Sequence, residues 1–356
     1  MNHLSDLQDA LSQNDLNALL LTSPMARLYA TGVFSSDGIV LVTPSGGFLF
    51  TDSRYIEAAR TQATGFAVAL IRGEKGYEET VGALLKTHNI KTLGFEQQTL
   101  TVGRYEQLRK AWSEVTWTPA QSLLDKLRLV KSPEEIKKMR NAQRVAETAY
   151  LDLLPNIRPG LTERQVRAAL IEKMYRAGAD ALAFDPIVVS GPHSALPHGQ
   201  AGDRTLRTGD FLILDFGVVV EHYCSDTTRT VAIGSATPEM RRIYDIVLRA
   251  QRDGIARARA GMTGADIHNA ALETITRAGH GENFGHGFGH CLGLEVHEPG
   301  GAAPSQTEPL PAGAVLSAEP GIYLPGCFGV RIEDVIVLKE DGCENLTTLD
   351  KTFTVL

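Results

Sequence analysis

The sequence predicts an α+β fold in two domains, a small α/β domain followed by a larger domain made of two related αβ halves. Three observations support this prediction. The first third of the chain alternates short apolar segments with amphipathic ones, as α/β domains do. The remaining two thirds repeat one pattern, and acidic residues interrupt apolar strands there. With 356 residues, the chain is long enough for each domain to bury its own core.

The first domain is predicted to cover residues 1–125. Its helical segments are LSDLQDALSQNDL, YEETVGALLKTHNI and RYEQLRKAW, and its strands are NALLLTS, GIVLVTP, GGFLFTD and KTLGFE. Turns containing Pro and Gly separate these segments. Residues 122–131 (SLLDKLRLVK) are predicted to link this domain to the second one, which covers residues 126–356.

A helix-initiating pattern opens the second domain. Ser132 is a suitable N-cap, Pro133 fits the first turn, and Glu134 and Glu135 lie near the positive end of the helix dipole. Four segments carry apolar residues at three- and four-residue spacing: EEIKKMRNAQRVAETAYLDLL, ERQVRAALIEKMYRAG, EMRRIYDIVLRAQRDGIARARA and ADIHNAALETITRAG. We expect these helices on the outside of a curved antiparallel sheet, whose other face is left for polar residues.

The second domain is predicted to be a duplication. Residues 158–162 (RPGLT) recur 101 positions later as 259–263 (RAGMT), and 176–178 (RAG) recur at the same offset as 277–279. Farther on, Leu212 and Asp215 match Leu316 and Glu319 at an offset of 104. Two halves related by a pseudo-twofold axis would bring their acids together. A duplicated scaffold without chemistry is the alternative, but it leaves those acids unexplained.

Four carboxylates lie in apolar strand segments: Asp215, Asp226, Glu319 and Glu333. Burying a carboxylate is costly unless a cation or strong donor compensates it. His290, in the stretch GHGFGHCLGLEVHE, offers a nitrogen ligand. Four carboxylates and a neutral imidazole bring four negative charges, which two divalent cations would balance. The sequence therefore predicts a dinuclear metal site.

Composition excludes several classes of partner. Hydrophobic residues make up 43% and charged residues 22%, the proportions of a soluble globular protein. A net charge of -7 without a run of Lys and Arg argues against a nucleic-acid surface. The N-terminal segment lacks the features of a signal peptide, no apolar stretch suits a membrane span, and the cysteines form no CxxC pair. We expect a reduced, cytoplasmic protein with no membrane partner.

The second domain contains four distinctive motifs, namely DFG with SDTTRT, GHGFGHCLGLEVHE, SAEPGIY and VRIEDV. Together they resemble the motifs of the pita-bread metallopeptidases. Within that family they are similar to the Xaa-Pro peptidases, namely aminopeptidase P and prolidase. The resemblance covers almost the whole chain, because the N-terminal part, including FLFTDSRYIEAA, is similar to the creatinase-type domain of those enzymes. It implies an enzyme that acts on proline-containing peptides, in which an apolar pocket holds the proline ring.

Carried over by position, the resemblance implies metal ligands at Asp215, Asp226, His290, Glu319 and Glu333. Asp226 and Glu333 would bridge two ions, Asp215 would complete one site, and His290 and Glu319 the other. Four oxygen donors with one imidazole suit hard or borderline ions, so Mn(II) is our first choice, with Co(II) or Zn(II) as alternatives. A structural zinc site would be expected to carry Cys or more His.

Other polar residues have roles that the resemblance implies. Glu319 would accept the proton of the attacking water, and Arg331 would steady the ligand shell. His198 in SALPHG and His297 in LEVHE would contact the substrate, and His286 would shape the pocket. A structural role is the alternative for each of the three histidines, and an ordinary surface arginine is the alternative for Arg331. Two more histidines are left without an assigned role, namely His193 beside His198 and His222 in a turn.

The expected length of the substrate depends on one departure from the family pattern. Many prolidases have an arginine soon after the VHE stretch that can hold a dipeptide's carboxylate, whereas this chain reads EPGGAAPSQTEPL there, with no Arg or Lys. This favours aminopeptidase P over a strict dipeptidase, unless an arginine comes from elsewhere or from a partner subunit. A homodimer is the implied assembly. Creatinase, methionine aminopeptidase and a non-catalytic binding protein of the same fold are the remaining alternatives.

Overall fold

The computed structural model describes residues 2–73 and 76–356. Its contacts divide the chain into two units, Met1–Arg128 and Leu129–Leu356. The boundary predicted at residue 125 lies three residues earlier, inside a helix, Gln121–Leu129, that replaces most of the expected link. Leu123 and Leu124 are buried on that helix. Their burial explains why the segment is ordered as a helix instead of an extended connection.

The first unit contains a six-stranded mixed sheet in the order β4-β3-β2-β1-β5-β6. Its strands are β1 (Ala18–Leu21), β2 (Ile39–Thr43), β3 (Gly46–Thr51), β4 (Phe66–Leu70), β5 (Thr92–Phe95) and β6 (Thr116–Pro119). Its helices are α1 (Leu4–Gln13), α2 (Pro24–Thr31), α3 (Ile56–Gln62), α4 (Gly76–Thr87), α5 (Val102–Ala111) and α6 (Gln121–Leu129). The predicted strands and helices are present, and the structure adds α2, α3, β4 and β6.

The second unit carries four long helices and a set of antiparallel strands. The helices are α7 (Pro133–Leu153), α8 (Glu163–Ala177), α9 (Pro238–Arg257) and α10 (Gly264–Arg277). The strands of its first half are β7 (Ala181–Leu182), β8 (Ile187–Ser190), β9 (Phe211–Phe216), β10 (Val218–Val220), β11 (Tyr223–Cys224) and β12 (Thr227–Ala232). Those of its second half are β13 (Gly289–Cys291), β14 (Glu298–Ala302), β15 (Val315–Ala318), β16 (Gly321–Leu324), β17 (Phe328–Arg331), β18 (Asp334–Lys339) and β19 (Gly342–Asn345).

The predicted duplication is visible in the element order. Each half begins with two helices, and each then pairs two long strands antiparallel, β9 with β12 and β15 with β18. Both second helices begin with a capping box, at Thr162 and Thr263. The glycines two residues earlier, Gly160 and Gly261, both have a positive φ, 94° and 81°. A side chain is disfavoured at such angles, which accounts for glycine at this point of both repeats.

The strands form four separate antiparallel sheets instead of the single curved sheet expected from the sequence. One interruption follows β9, where a side chain at Gly217 would place its Cβ 2.1 Å from the Ser225 carbonyl oxygen. The two halves nevertheless meet, because the Glu333 N–H donates to the Thr228 carbonyl at 3.1 Å. This contact joins the start of β12 to the start of β18, where two of the predicted ligands lie.

Each half of the second unit has its own apolar core. In the first half, α7 and α8 pack Leu153 and Leu170 against Leu214 of β9. In the second half, α9 and α10 pack Ile243 and Ile267 against the strands that follow them. The helices thus cover the sheets, as the 3.6-residue periodicity predicts. Within residues 2–73 and 76–356, no helix is both long enough and apolar enough to cross a membrane.

Candidate metal centre

The five predicted ligands all line one cavity of about 610 Å³ in the second unit. Asp215 lies in β9 and His290 in β13. The sequence analysis placed all four acids inside strand segments. The structure instead puts Asp226 and Glu333 one residue before β12 and β18, and Glu319 one residue after β15. Strand ends place these carboxylates at the edge of the sheets, where the two halves meet.

Three of the predicted ligands are close enough together to hold one ion. Asp226, His290 and Glu333 each offer a ligand atom, and these atoms all lie within 4.8 Å of one another. The Nε2 atom of His290 is 3.4 Å from a carboxylate oxygen of Asp226 and 3.4 Å from one of Glu319. Its Nδ1 atom is 3.2 Å from the Cys291 carbonyl oxygen. Donation from Nδ1 to that carbonyl leaves Nε2 as the ring atom that faces the carboxylates, and in the neutral ring this atom can bind a metal ion.

Two carboxylate oxygens that line the cavity are buried without a hydrogen-bond partner among the described residues, namely Asp215 Oδ1 and Glu333 Oε1. The other oxygen of each group is bound. Arg331 donates to Asp215 Oδ2 at 2.5 Å, and the Thr228 hydroxyl donates to Glu333 Oε2 at 2.8 Å. Native structures rarely leave buried carboxylate oxygens unsatisfied. Oxygens left over in this way, beside an imidazole, fit a divalent cation.

The pKa values of these groups are shifted by burial and by the neighbouring charges. Burial, with the neighbouring carboxylates Asp215 and Glu319, raises the pKa of Asp226 to about 7, although its hydrogen bond with His290 acts in the other direction. Burial and the charge of Asp226 raise the pKa of Glu333 well above its ordinary value. Burial alone would lower the pKa of His290, but its contact with Asp226 raises it to about 9. A metal ion would take the place of these protons.

Arg331, one of the predicted residues, is buried behind the carboxylates. Besides Asp215, its guanidinium donates to the Thr228 hydroxyl at 3.1 Å, the Tyr323 hydroxyl at 2.9 Å and the Pro197 carbonyl at 3.2 Å. The sequence analysis assigned no role to Tyr323 or Thr228. Both belong to motifs that it singled out, SAEPGIY and SDTTRT, so their place in the motifs was the available signal. Together they fix the orientation of Asp215 and Glu333.

The three predicted substrate histidines line the same cavity. The ring of His297 lies 4.1 Å from that of His290, centroid to centroid. His286 is fixed between the Tyr323 hydroxyl, at 3.0 Å, and the Gly287 carbonyl, at 2.8 Å. Burial lowers the pKa of both His286 and His297, so both rings are neutral at pH 7. His198 is the most exposed of the predicted residues on the first half and also lines the cavity.

The two histidines without an assigned role lie elsewhere. His222 is exposed in a turn with a φ of 73°, as its sequence context indicates. His193 is outside the cavity lining, and its Nδ1 atom is 2.9 Å from a carboxylate oxygen of Glu163. This contact joins residues 30 positions apart in the sequence, so no local pattern could have indicated it.

A cluster of carboxylates and one imidazole, held between duplicated αβ halves and preceded by an α/β domain, defines the class of two-domain pita-bread metallopeptidases. Residues 137–340 match the model of metallopeptidase family M24. Residues 3–130 match that of the creatinase/prolidase N-terminal domain. The chain belongs to metallopeptidase family M24.

Individual relatives match over nearly the full length. The chain is 38% identical over 353 residues to the uncharacterized peptidase YqhT of Bacillus subtilis, covering 99% of each chain. It is similar to the crystal structure of an X-Pro aminopeptidase from Thermotoga maritima, with a TM-score of 0.92 and 36% identity over 100% of both chains. It is also similar to an Xaa-Pro dipeptidase from Bacillus anthracis, with a TM-score of 0.95 and 39% identity over 99% of each chain.

Proposed function

We propose that this protein is a metal-dependent exopeptidase that hydrolyses the bond between the first residue of a peptide and a following proline, as an aminopeptidase P does. One observation carries the proposal. The buried cluster of Asp226, His290 and Glu333 opens into a cavity that also exposes three histidines. The similarity to solved structures named X-Pro aminopeptidase and Xaa-Pro dipeptidase supports the same substrate class.

The proposed cofactor is a pair of divalent ions, Mn(II) before Co(II) or Zn(II), because oxygen donors predominate. Its proposed ligands are Asp215, Asp226, His290, Glu319 and Glu333, with Asp226 and Glu333 shared between the ions. The unpartnered oxygens of Asp215 and Glu333 support this set. When bound, such ions supply Lewis acidity, which lowers the pKa of a water molecule and polarises the scissile carbonyl group.

Glu319 is the proposed proton carrier. One of its oxygens accepts a hydrogen bond from the Ser317 hydroxyl at 2.9 Å, which orients the carboxylate, and its side chain remains 19% exposed in the cavity. We propose that it takes a proton from the attacking water and delivers it to the proline nitrogen as the C–N bond breaks. This delivery makes the nitrogen a leaving group, because it departs as a neutral amine instead of a strongly basic amide anion.

His198 and His297 are the proposed donors to the scissile carbonyl group. They belong to different halves of the domain, and both are exposed in the cavity. Fixed donors stabilise an oxyanion more effectively than water, since they need no reorganisation during the reaction. His286 has a different proposed role, because its ring is held by Tyr323 and so shapes the wall of the pocket.

The charges around the cavity favour peptides longer than two residues. Among the described residues that line it, Arg331 carries the sole guanidinium, and no lysine is present. That guanidinium is already engaged by Asp215, Thr228 and Tyr323. The segment 298–310 contributes Ala303 and Gln306 to the wall but no cation. This chain therefore supplies no evident partner for the carboxylate of a dipeptide.

A strict dipeptidase is the second candidate, and the similarity to the Xaa-Pro dipeptidase from Bacillus anthracis favours it. An arginine from a partner subunit would be needed to hold the carboxylate of the product. The two candidates differ in one measurable property, namely the rate ratio for a dipeptide and a tetrapeptide with the same first two residues.

The deciding experiment compares Gly-Pro with Gly-Pro-Ala-Ala, using metal-stripped enzyme before and after Mn(II) is restored. Gly-Ala-Ala-Ala is the matched control that lacks proline. Metal-dependent cleavage of the proline tetrapeptide establishes the aminopeptidase, and cleavage of Gly-Pro alone establishes the dipeptidase. Cleavage of neither proline peptide contradicts the proposed function.

A further inference from the structure

One carboxylate outside the metal centre is completely buried. Glu163, the first residue of α8, has 0% of its surface exposed. One of its oxygens accepts from the Ser190 N–H at 2.7 Å and the Ser190 hydroxyl at 2.8 Å. The other accepts from His193 Nδ1 at 2.9 Å and the Gly202 N–H at 3.1 Å. These four bonds compensate the cost of burying the charge.

All four donors belong to one segment, residues 190–202, which we call the His198 segment. Glu163 binds it near its start, at Ser190, and near its end, at Gly202. His198 lies between these two anchor points and is exposed in the cavity. The Glu163 carboxylate therefore fixes the distance between the two ends of the segment.

The opposite side of the His198 segment touches the metal centre. The Pro197 carbonyl accepts from Arg331, which also binds Asp215. The Ser194 hydroxyl accepts from the Gly329 N–H at 2.8 Å. Among the residues that the structure describes, none hydrogen-bonds the ring of His198. The place of that ring consequently depends on the backbone of its segment.

We infer that Glu163 is a positioning residue, which sets the location of His198 relative to the scissile carbonyl group without touching substrate. This inference rests on the proposed function, in which His198 contacts that group. It also gives His193 a role, because this side chain binds Glu163 at a third point of the segment, between Ser190 and His198. Displacing a catalytic contact by about 1 Å can cost roughly 100-fold in rate, so an anchor of this kind matters for turnover.

The kinetic test is a double-mutant cycle of Glu163→Ala and His198→Ala, assayed on an Xaa-Pro tetrapeptide. In the wild-type background, Glu163→Ala should lower kcat by roughly 10- to 100-fold and change KM by less than about threefold. In the His198→Ala background, it should lower kcat by less than about twofold. An equal loss in both backgrounds would show that Glu163 does not act through His198.

Milder variants keep the test decisive if Glu163→Ala does not fold. Glu163→Gln retains the volume and one acceptor oxygen, and His193→Leu removes one of the four bonds at a partly exposed side chain. His193→Leu should reduce kcat, and His193→Asn should restore part of the loss, because its amide N–H can reach toward Glu163. Equal kcat values for His193→Leu and the wild type would contradict a role for the contact between His193 and Glu163.

A second measurement is independent of activity. In hydrogen–deuterium exchange, Glu163→Gln should speed exchange within residues 190–204 while leaving the bound metal content unchanged. Glu147→Gln is the matched control, since Glu147 is also buried but accepts from the Thr348 N–H, away from this segment. Unchanged exchange in residues 190–204 would overturn the inference whatever substrate the enzyme cleaves. If the wild type cleaves no Xaa-Pro peptide but exchange is faster in Glu163→Gln, the proposed function is wrong and the anchoring of the His198 segment by Glu163 still stands.

Discussion

Glu333 and Asp226 occupy the point where the two halves of the second unit meet. Glu333 is 1% exposed and keeps one oxygen without a partner in the described chain. Asp226 lies close enough to His290 for a direct contact. A carboxylate in such surroundings is stable as an anion only beside a cation, so metal binding and the charge of these two groups are coupled.

Replacing Glu333 with Ala should abolish binding of both ions and nearly all peptidase activity, because the proposed site shares this carboxylate between them. Metal content per chain, measured by plasma mass spectrometry after dialysis, checks the prediction. Asp203→Ala, at an exposed carboxylate that pairs with Arg164, is the control and should retain metal. Retention of one equivalent by Glu333→Ala would show that Glu333 is not shared.

The metal-free protein should lose stability as the pH rises. The folded pKa of Asp226 is raised to about 7, so folding holds a proton that the unfolded state releases above pH 4. His290, with a folded pKa of about 9, adds a loss at higher pH. We therefore expect Tm to fall between about pH 4 and pH 9 in EDTA, and restored Mn(II) to raise Tm more at pH 8 than at pH 5.

Asp226→Asn is the control for that experiment, since it removes one of the titrating groups. Its Tm in EDTA should vary less between pH 4 and pH 7 than that of the wild type. A metal-free wild type whose Tm is constant over this range would argue against the raised pKa of Asp226.

A buried ion pair supports the strand that follows His297. Lys131 Nζ lies 2.9 Å from Glu298 Oε2, and both side chains are at most 3% exposed. Lys131→Met should lower the free energy of unfolding by about 3–5 kcal/mol, because it leaves the Glu298 carboxylate without its cation. Denaturant melts measure the loss. The double variant Lys131→Met/Glu298→Gln should recover most of it, since the amide oxygen can still accept from the Leu294 N–H.

At the scale of elements, the two repeated segments that the sequence analysis matched, 158–162 and 259–263, both end in a threonine that forms a capping box. Thr162 accepts from Gln165 N, and Thr263 accepts from Asp266 N. Each Thr→Ala change should cost about 1 kcal/mol of unfolding free energy, because an orphan backbone donor loses its partner. Thr148→Ala, at an exposed position inside α7, is the control and should change stability by less than about 0.5 kcal/mol.

The elements that the sequence analysis missed have local explanations. Ser23 and Pro24 begin α2 by the same cap-and-proline pattern as Ser132 and Pro133. The eight residues of α2 are too few for a clear apolar period, which is why the pattern alone did not indicate a helix. The acids beside β12, β15 and β18 were read as strand residues because hydrophobic runs do not mark strand ends to within one residue.

At the scale of the molecule, the sequence predicted the two-part organisation, the duplication and the convergence of the five proposed ligands on one cavity. Periodicity and repeats are encoded locally, so they can be read without coordinates. The contacts of Glu163 and Tyr323 could not be derived in this way, because each joins residues brought together only by folding. The ion identities, a homodimer and a cytoplasmic location stay predictions.

The position of Asp226 and Glu333 on opposite halves has a consequence for cooperativity. Each half has its own cluster of buried apolar residues, and the halves are joined by main-chain bonds such as those from Glu333 to Thr228 and from Cys224 to Gly293. Ions bound by both carboxylates would link the two halves across the pseudo-twofold axis that relates them. We expect calorimetry to show a single sharp transition for the loaded enzyme and a broader one, with a van't Hoff enthalpy below the calorimetric value, after chelation. The proposed ions would then also determine whether the two halves unfold in one cooperative transition.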